Sequence, residues 1–332
     1  MAVTRRMNAA FLPTASVDRA PQPIGTAVIG VGYFGSLHAQ KYMQLAGSRL
    51  VALIDPDPLT LALSEHLGVG WLQHIDDLPP EVRAVSVVTP VQSHFALTKA
   101  LLERGLDVLL EKPITSTLEQ AETLCRLAES TGCVLQIGHI ERFNPTFIAS
   151  RTALAYAQRI HAIRAGKRVP RIDAVDVVTD LMIHDLDMLL AALDCAVVAV
   201  SATGHSCDHT VIDHACAELT FANGCRAQLT ASWGDAVEKS SAHRIDAELD
   251  RGEIWSLDFH QRTVWRKTSP SATPVAVHLP HIAVNEDELC VQLAAFLSAS
   301  RRRSTPQVTA RDGYAALELA YRIRNQILGC GA

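Results

Sequence analysis

The sequence predicts an α/β protein: a doubly wound parallel sheet, then an α+β half built on a large, mostly antiparallel open sheet. Three observations predict it. Gly30-Val31-Gly32-Tyr33-Phe34-Gly35 directly follows an apolar run, Thr26 to Ile29, and Asp55 closes a second apolar run, Leu50 to Ile54. From there to about residue 142, short apolar runs alternate with amphipathic stretches, the rhythm of parallel strands joined by helices. From about 196 to 266 the chain turns into a block of strand-like segments with helical patterns on either side, which suits one large sheet with helices segregated to one face.

In order, the first strand leads into the glycine loop and a helix, and Ser48–Asp55 is the second strand. Leu59–Leu67 reads as helix and Ala84–Thr89 as a buried strand ending at Pro90. Ser93 is the expected N-cap of a helix to Arg104, and Asp107–Glu111 is the next strand. Thr117-Leu118-Glu119-Gln120 has the form of a capping box, opening a helix that runs to Thr131 and stops at Gly132. Cys133–Ile140 closes the first sheet. Residues 159–169 form a strand and Asp180–Leu193 a helix. Ala215–Phe221 and Cys225–Trp233 flank Asn223-Gly224, a hairpin signal, and Glu253–Leu257 and Thr263–Arg266 continue the series. Helices near Glu286–Ala299 and Asp312–Leu328 end it. The expected division is therefore an extension without ordered structure at 1–24, a nucleotide-binding domain at 25–142 and a second domain at 143–332.

The glycine spacing has physical content. Gly30 permits the tight turn out of the strand, Gly32 lets the backbone approach a pyrophosphate, and Gly35 lets the helix pack against the sheet. Tyr33 and Phe34 complete the loop, and the helix start offers N–H groups and a positive dipole end to phosphate. Asp55 can accept hydrogen bonds from both adenosine ribose hydroxyls and would repel a 2′-phosphate, so NAD is expected over NADP.

Composition narrows the remaining classes. The 332 residues are 48% hydrophobic and 20% charged, with a formal net charge of −5; nucleic acid as a partner would call for a basic face. No run approaches the roughly 18 apolar residues of a membrane span. Eight cysteines occur without a CxxC pair, which reads as reduced thiols in a cytoplasmic protein. No metal is expected. His205, Cys207, His209 and His214 have zinc-ligand chemistry but fall where helix gives way to sheet. Arg301-Arg302-Arg303 reads as cations at a helix C-terminus, and His66, His74 and His260 as surface or packing residues.

Two constellations carry chemistry. Glu111-Lys112-Pro113 sits at the carboxyl end of a strand, where doubly wound sheets place their ligands. Asp180-Leu181-Met182-Ile183-His184-Asp185-Leu186-Asp187 puts Asp180 and His184 four apart on one helix face, so the carboxylate could fix the histidine's tautomer and strengthen it as a base.

With the glycine loop, Thr89-Pro90 with His94, Glu-Lys-Pro, Arg142-Phe143-Asn144-Pro145 and the Asp180…His184 pair all present, the chain resembles the glucose–fructose oxidoreductase / inositol dehydrogenase (Gfo/Idh/MocA) family from about Ile24 to its end. The resemblance implies a Rossmann domain and an open-sheet domain that pairs subunits into homodimers or homotetramers. It implies that Lys112 reaches the reacting hydroxyl and the nicotinamide ribose, that Lys112 or His184 takes the proton, and that Asp180 contacts or orients. Thr89, Pro90, His94 and Glu111 would line the cofactor cleft. Gly138-His139-Ile140-Glu141-Arg142-Phe143-Asn144-Pro145 is similar to members that oxidise UDP-N-acetylglucosamine at its third sugar carbon, making a 3-keto nucleotide sugar for lipid A or other surface glycans. Uronic-acid relatives of that sugar, a free sugar, inositol or polyol, and a non-catalytic NAD-binding regulator are the alternatives. Arg142, Asn144 and Arg168 are expected to contact the substrate, and Arg164, Lys167 and Arg171 could also meet a diphosphate.

Overall fold

The computed structural model describes residues 22–167, 175–206, 211–233, 242–280 and 287–329. The expected extension lies almost wholly outside the described residues. The first half runs β1 (Ile24–Ile29), α1 (Tyr33–Gln44), β2 (Ser48–Ile54), α2 (Leu61–Leu67), β3 (Gly70–Leu72), β4 (Val82–Val87), α3 (Val91–Glu103), β5 (Asp107–Leu110), α4 (Leu118–Thr131) and β6 (Leu135–Ile137). The strands form one six-stranded parallel sheet in the order β3-β2-β1-β4-β5-β6. Alternate residues face opposite sides, as the pleat requires. Ala27, Ile29, Val85, Val87, Val108 and Leu110 pack with Leu101 and Leu102 of α3 and Leu124 of α4. Val28, Leu53, Ala84 and Leu109 pack on the other side with Tyr42 of α1.

Several sequence expectations shift here. Ser93 is not the N-cap of α3: the helix starts right after Pro90, and the Ser93 hydroxyl instead donates to Thr89 Oγ1 at 2.7 Å and the Pro90 carbonyl at 2.8 Å. The strand expected at Cys133–Ile140 shrinks to β6, because a 3₁₀ turn at Ile140–Phe143 takes over the chain. β3 is three residues long and left no periodicity to detect. Thr117 and Gly132 do bound α4: Thr117 Oγ1 accepts the Gln120 N–H, and Gly132 adopts φ 66°.

The second half runs α5 (Pro145–Leu154), β7 (Arg159–Gly166), a π-helical turn at Val178–Met182, α6 (Ile183–Leu193), β8 (Val197–His205), β9 (His214–Phe221), β10 (Arg226–Trp233), β11 (Ala242–Glu248), β12 (Ile254–Asp258), β13 (Thr263–Lys267), β14 (Val275–Ala276), α7 (Glu288–Arg302) and α8 (Ala310–Ile327). Its eight strands lie in the order β14-β13-β12-β11-β7-β10-β9-β8, antiparallel except for β7 beside β10. α5 escaped the sequence reading, yet its signal was present: Asn144 accepts the Thr146 N–H at 3.0 Å and Pro145 occupies the first helical position. The inner face is rich in alanine (Ala162, Ala215, Ala217, Ala227, Ala231 and Ala247), which lets α6 and α8 approach closely. The outer face carries Arg159, His161, Glu218, Gln228, Arg244 and Asp246, all exposed, and no described element covers it.

The last two helices cross back to the first sheet. Leu289, Leu293, Phe296 and Leu297 of α7 join the Val28 side, and Leu317 of α8 joins the Leu110 side. The chain assigned to a second domain from 143 onward thus supplies part of the first sheet's packing. Arg303, read as one of three cations favouring a helix end, does more than that: its guanidinium meets both carboxylate oxygens of buried Asp107 at 2.6 and 2.8 Å, and Ser300 bonds the same carboxylate at 2.6 Å. Among the described residues no helix is long and apolar enough to cross a membrane.

Candidate active site

The three glycines of the loop sit in three different surroundings. Gly30 has φ 82°, and a side chain there would run into the Val88 carbonyl at 2.5 Å and the Thr89 methyl at 2.7 Å. A side chain on Gly35 would overlap the Gly30 carbonyl oxygen, so α1 could not pack down. Gly32 is the N-cap of α1: a side chain there would meet no protein atom within 4 Å, no side chain caps the helix, and its first turn holds no acid. That leaves an uncapped, positively polarised helix end behind a bare backbone, which suits a pyrophosphate. Asp55 braces the loop, accepting the Val31 N–H at 2.7 Å on one oxygen and the Asp57 N–H at 2.9 Å on the other. Lone pairs remain on both oxygens for ribose hydroxyls. Thr89 and Pro90 are partly open at the end of β4 beside this loop. The residues present therefore fit NAD.

Lys112 lies just past β5, and its ammonium donates to the carboxylate and the main-chain carbonyl of Asp180, both at 2.8 Å. The sequence led us to expect Asp180 and His184 paired on a regular helix. Instead Asp180 sits in the π turn and gives its carboxylate and carbonyl to Lys112. His184 Nδ1 has no hydrogen-bond partner among the described residues. Burial pushes its imidazole well below the ordinary value of 6.5, and Lys112, Arg164, His139 and His243 push the same way. His184 is therefore neutral near pH 7. Two of the three ammonium N–H groups of Lys112 are taken by Asp180, leaving one to meet an oxygen in the cleft.

The remaining acids of the motif are each matched to a base from another element. Asp185 meets His243 of β11 at 3.1 Å and Arg164 of β7 at 3.5 Å. Burial works to raise its carboxyl, but Arg164 and His243 outweigh that and hold it below the usual range. Asp187 binds Arg142 through two bonds of 2.6 and 2.8 Å. These pairings redirect the expected substrate contacts. Arg142 is buried on Asp187 and Asp312, so its charge is already committed. Asn144 spends its oxygen capping α5 and its amide on Glu141 at 3.1 Å. Arg164 is held by Glu141 at 2.6 Å instead of offered to a diphosphate. Arg168 and Arg171 lie outside the described residues.

Two residues expected to line the cofactor cleft, His94 and Glu111, are buried. His94 is 1% exposed, with its ring nitrogens 2.9 Å from the Pro113 carbonyl and 2.8 Å from the Thr89 carbonyl; the neutral ring donates to one of the two and packs between the ends of β4 and β5. Glu111 turns inward against His38, 3.4 Å away, and leaves no room for a side chain at Gly138. Sequence reasoning gave no role to His38, His139 or His243. Each is buried by contacts between distant segments, and no local pattern marks it. His205 and His214 stack at 4.7 Å across the β8–β9 pair, while Cys207 and His209 lie outside the described residues. Among the described residues no group of three or more His, Cys, Asp or Glu could hold a metal.

Comparison with known proteins agrees with this geometry. The profile of the oxidoreductase family with an NAD-binding Rossmann fold matches residues 24–139, and that of the GFO/IDH/MocA C-terminal domain matches 148–255. The UDP-N-acetylglucosamine 3-dehydrogenase of Acidithiobacillus ferrooxidans is 39% identical over 209 residues, spanning 62% of this chain and 66% of that protein. Its solved structure superposes with a TM-score of 0.84 at 32% identity, covering 92% of this chain and 98% of the other. The scyllo-inositol 2-dehydrogenase (NAD(+)) of Bacillus subtilis is 25% identical over 90% of this chain and 92% of its own length. An Agrobacterium radiobacter oxidoreductase solved in complex with NAD+, L-tartaric acid and magnesium shares the fold, with a TM-score of 0.81 at 16% identity, over 93% of this chain and 97% of that one.

Proposed function

We infer the function from one premise: this chain belongs to the GFO/IDH/MocA family of NAD-binding oxidoreductases. We propose that it oxidises the 3-hydroxyl of UDP-N-acetylglucosamine, or of its uronic acid, to a 3-keto nucleotide sugar that feeds surface-glycan or lipid A synthesis. The observation that carries the chemical half is the Lys112–Asp180 contact beside a neutral, buried His184. The likeness to the Acidithiobacillus enzyme over most of both folded chains supports the substrate half.

The glycine loop, the start of α1 and Asp55 would hold the dinucleotide, with Thr89 and Pro90 along the cleft. NAD supplies the hydride acceptor. Lys112, fixed by two bonds to Asp180, would give its remaining N–H to the substrate hydroxyl and favour the developing alkoxide. His184 would take the proton, since an imidazole must be neutral to act as a base. Arg164, buried between Glu141 and Asp185, adds a fixed positive charge that acts on His184 and disfavours the imidazolium, so the proton would not rest long on His184. We propose further that the uncovered face of the eight-stranded sheet pairs with a second copy of the chain. Light scattering on a size-exclusion column would show a dimer or tetramer, and a monomer at micromolar concentration would remove that part of the reading.

The test is NADH formation with NAD and, separately, UDP-N-acetylglucosamine, UDP-N-acetylglucosaminuronic acid, myo-inositol and glucose. Turnover with either nucleotide sugar is the expected outcome. Turnover with inositol or glucose alone would favour the polyol reading, and turnover with none would favour a regulator.

A further inference from the structure

We infer that His139 is the positioning residue for His184, fixing that ring by an edge-to-face contact where a carboxylate would ordinarily hydrogen-bond it. The inference rests on the reading of His184 as the proton acceptor. A histidine that takes a proton is normally held through its second nitrogen by an acid. Here every acid of the motif is committed elsewhere: Asp180 to Lys112, Asp185 to His243 and Arg164, and Asp187 to Arg142. His184 Nδ1 is left without a hydrogen-bond partner among the described residues.

What meets the His184 ring is His139, with centroids 6.2 Å apart and planes at 90°. That lies within the range in which aromatic rings attract edge to face. His139 is itself well held. It is 1% exposed, its N–H donates to the Ile137 carbonyl at 2.9 Å, and its carbonyl accepts the Arg142 N–H at 3.1 Å. Among the described residues neither of its ring nitrogens has a hydrogen-bond partner, so the ring contact is the interaction its side chain offers the site there. His139 comes from the end of the first sheet and His184 from the helix over the second, so the contact also aligns the two halves across the cleft.

The experiment compares His139→Ala and His139→Phe with the wild type. Alanine should lower kcat with UDP-N-acetylglucosamine on the order of tenfold to a hundredfold, while the KM for NAD is unchanged and phenylalanine stays within about threefold of wild type. Wild-type kcat in the alanine variant would overturn the inference. So would a phenylalanine variant that still binds NAD yet is as impaired as alanine, because the nitrogens and not the ring would then matter. If the wild type oxidised none of the sugars offered, the reading of the site would fail separately. The histidine ring NMR signals of the same variants still decide this inference: His184 ring mobility should rise in His139→Ala and not in His139→Phe, and unchanged mobility in both would overturn it.

Discussion

At the residue scale the account rests on Lys112. Its ammonium is oriented by two acceptors on Asp180, and neither of those bonds involves the loop that would grip the dinucleotide. Lys112→Ala should therefore lower turnover on the order of a hundredfold to ten-thousandfold, with NAD affinity unchanged by calorimetry; wild-type turnover would remove Lys112 from the chemistry. Asp55 accepts the Val31 N–H of the glycine loop, and in the proposed complex it would also accept from the ribose hydroxyls. Asp55→Ala should weaken NAD binding by about 1.5–3 kcal/mol, read in the same titration. Lys112 and Asp55 were legible in the sequence because each closes a strand beside a local signature, Glu-Lys-Pro or the glycine loop. His139 was not: its relation to His184 spans 45 residues and exists only once the two halves are folded together.

At the scale of elements, the helix after the π turn explains why the motif at 180–187 is dense in acids. A segment as buried as the π turn and α6 together would normally exclude three carboxylates. Each is retained with a partner from a different element, Lys112 after β5, Arg164 on β7 and Arg142 in the turn after β6. The bonds thereby set the helix against both sheets. Breaking the buried Arg142–Asp187 pair should be costly: Asp187→Ala leaves Arg142 without its bidentate partner, and a loss of about 3–5 kcal/mol in urea unfolding is expected. A loss within the ordinary surface range of about 0.5 kcal/mol would show the pair to be dispensable. Sequence spacing identified the helix to Leu193 but not the π turn that replaces its first residues. It did not show that Arg142 pairs with Asp187, that Arg164 pairs with Glu141 or that Asn144 caps α5, because such partners depend on which segments the topology brings together.

At the scale of the whole molecule, α7 and α8 bind the two sheets into one structure, and buried histidines give that structure an acid limit. Burial pushes His94, His139 and His184 below the ordinary value of 6.5. The unfolded chain therefore binds more protons than the folded one in the window below 6.5, so their neutral burial is fully tolerated above that pH and destabilises as pH falls through it. The thermal midpoint should drop as pH is lowered from 7 to 5; a flat midpoint would contradict these burials. The doubly wound half was legible because its periodicity and glycine loop are local. The crossing of α7 to the first sheet was not, since an apolar helix face does not name the surface it packs on. The central claim is that Lys112 and His184 act on the 3-hydroxyl of a nucleotide sugar, with hydride leaving the carbon that bears it. UDP-N-acetylglucosamine carrying deuterium at C3 tests it most directly. The account predicts deuterium in the NADH formed and a slowed single-turnover rate; NADH formed without deuterium would contradict it.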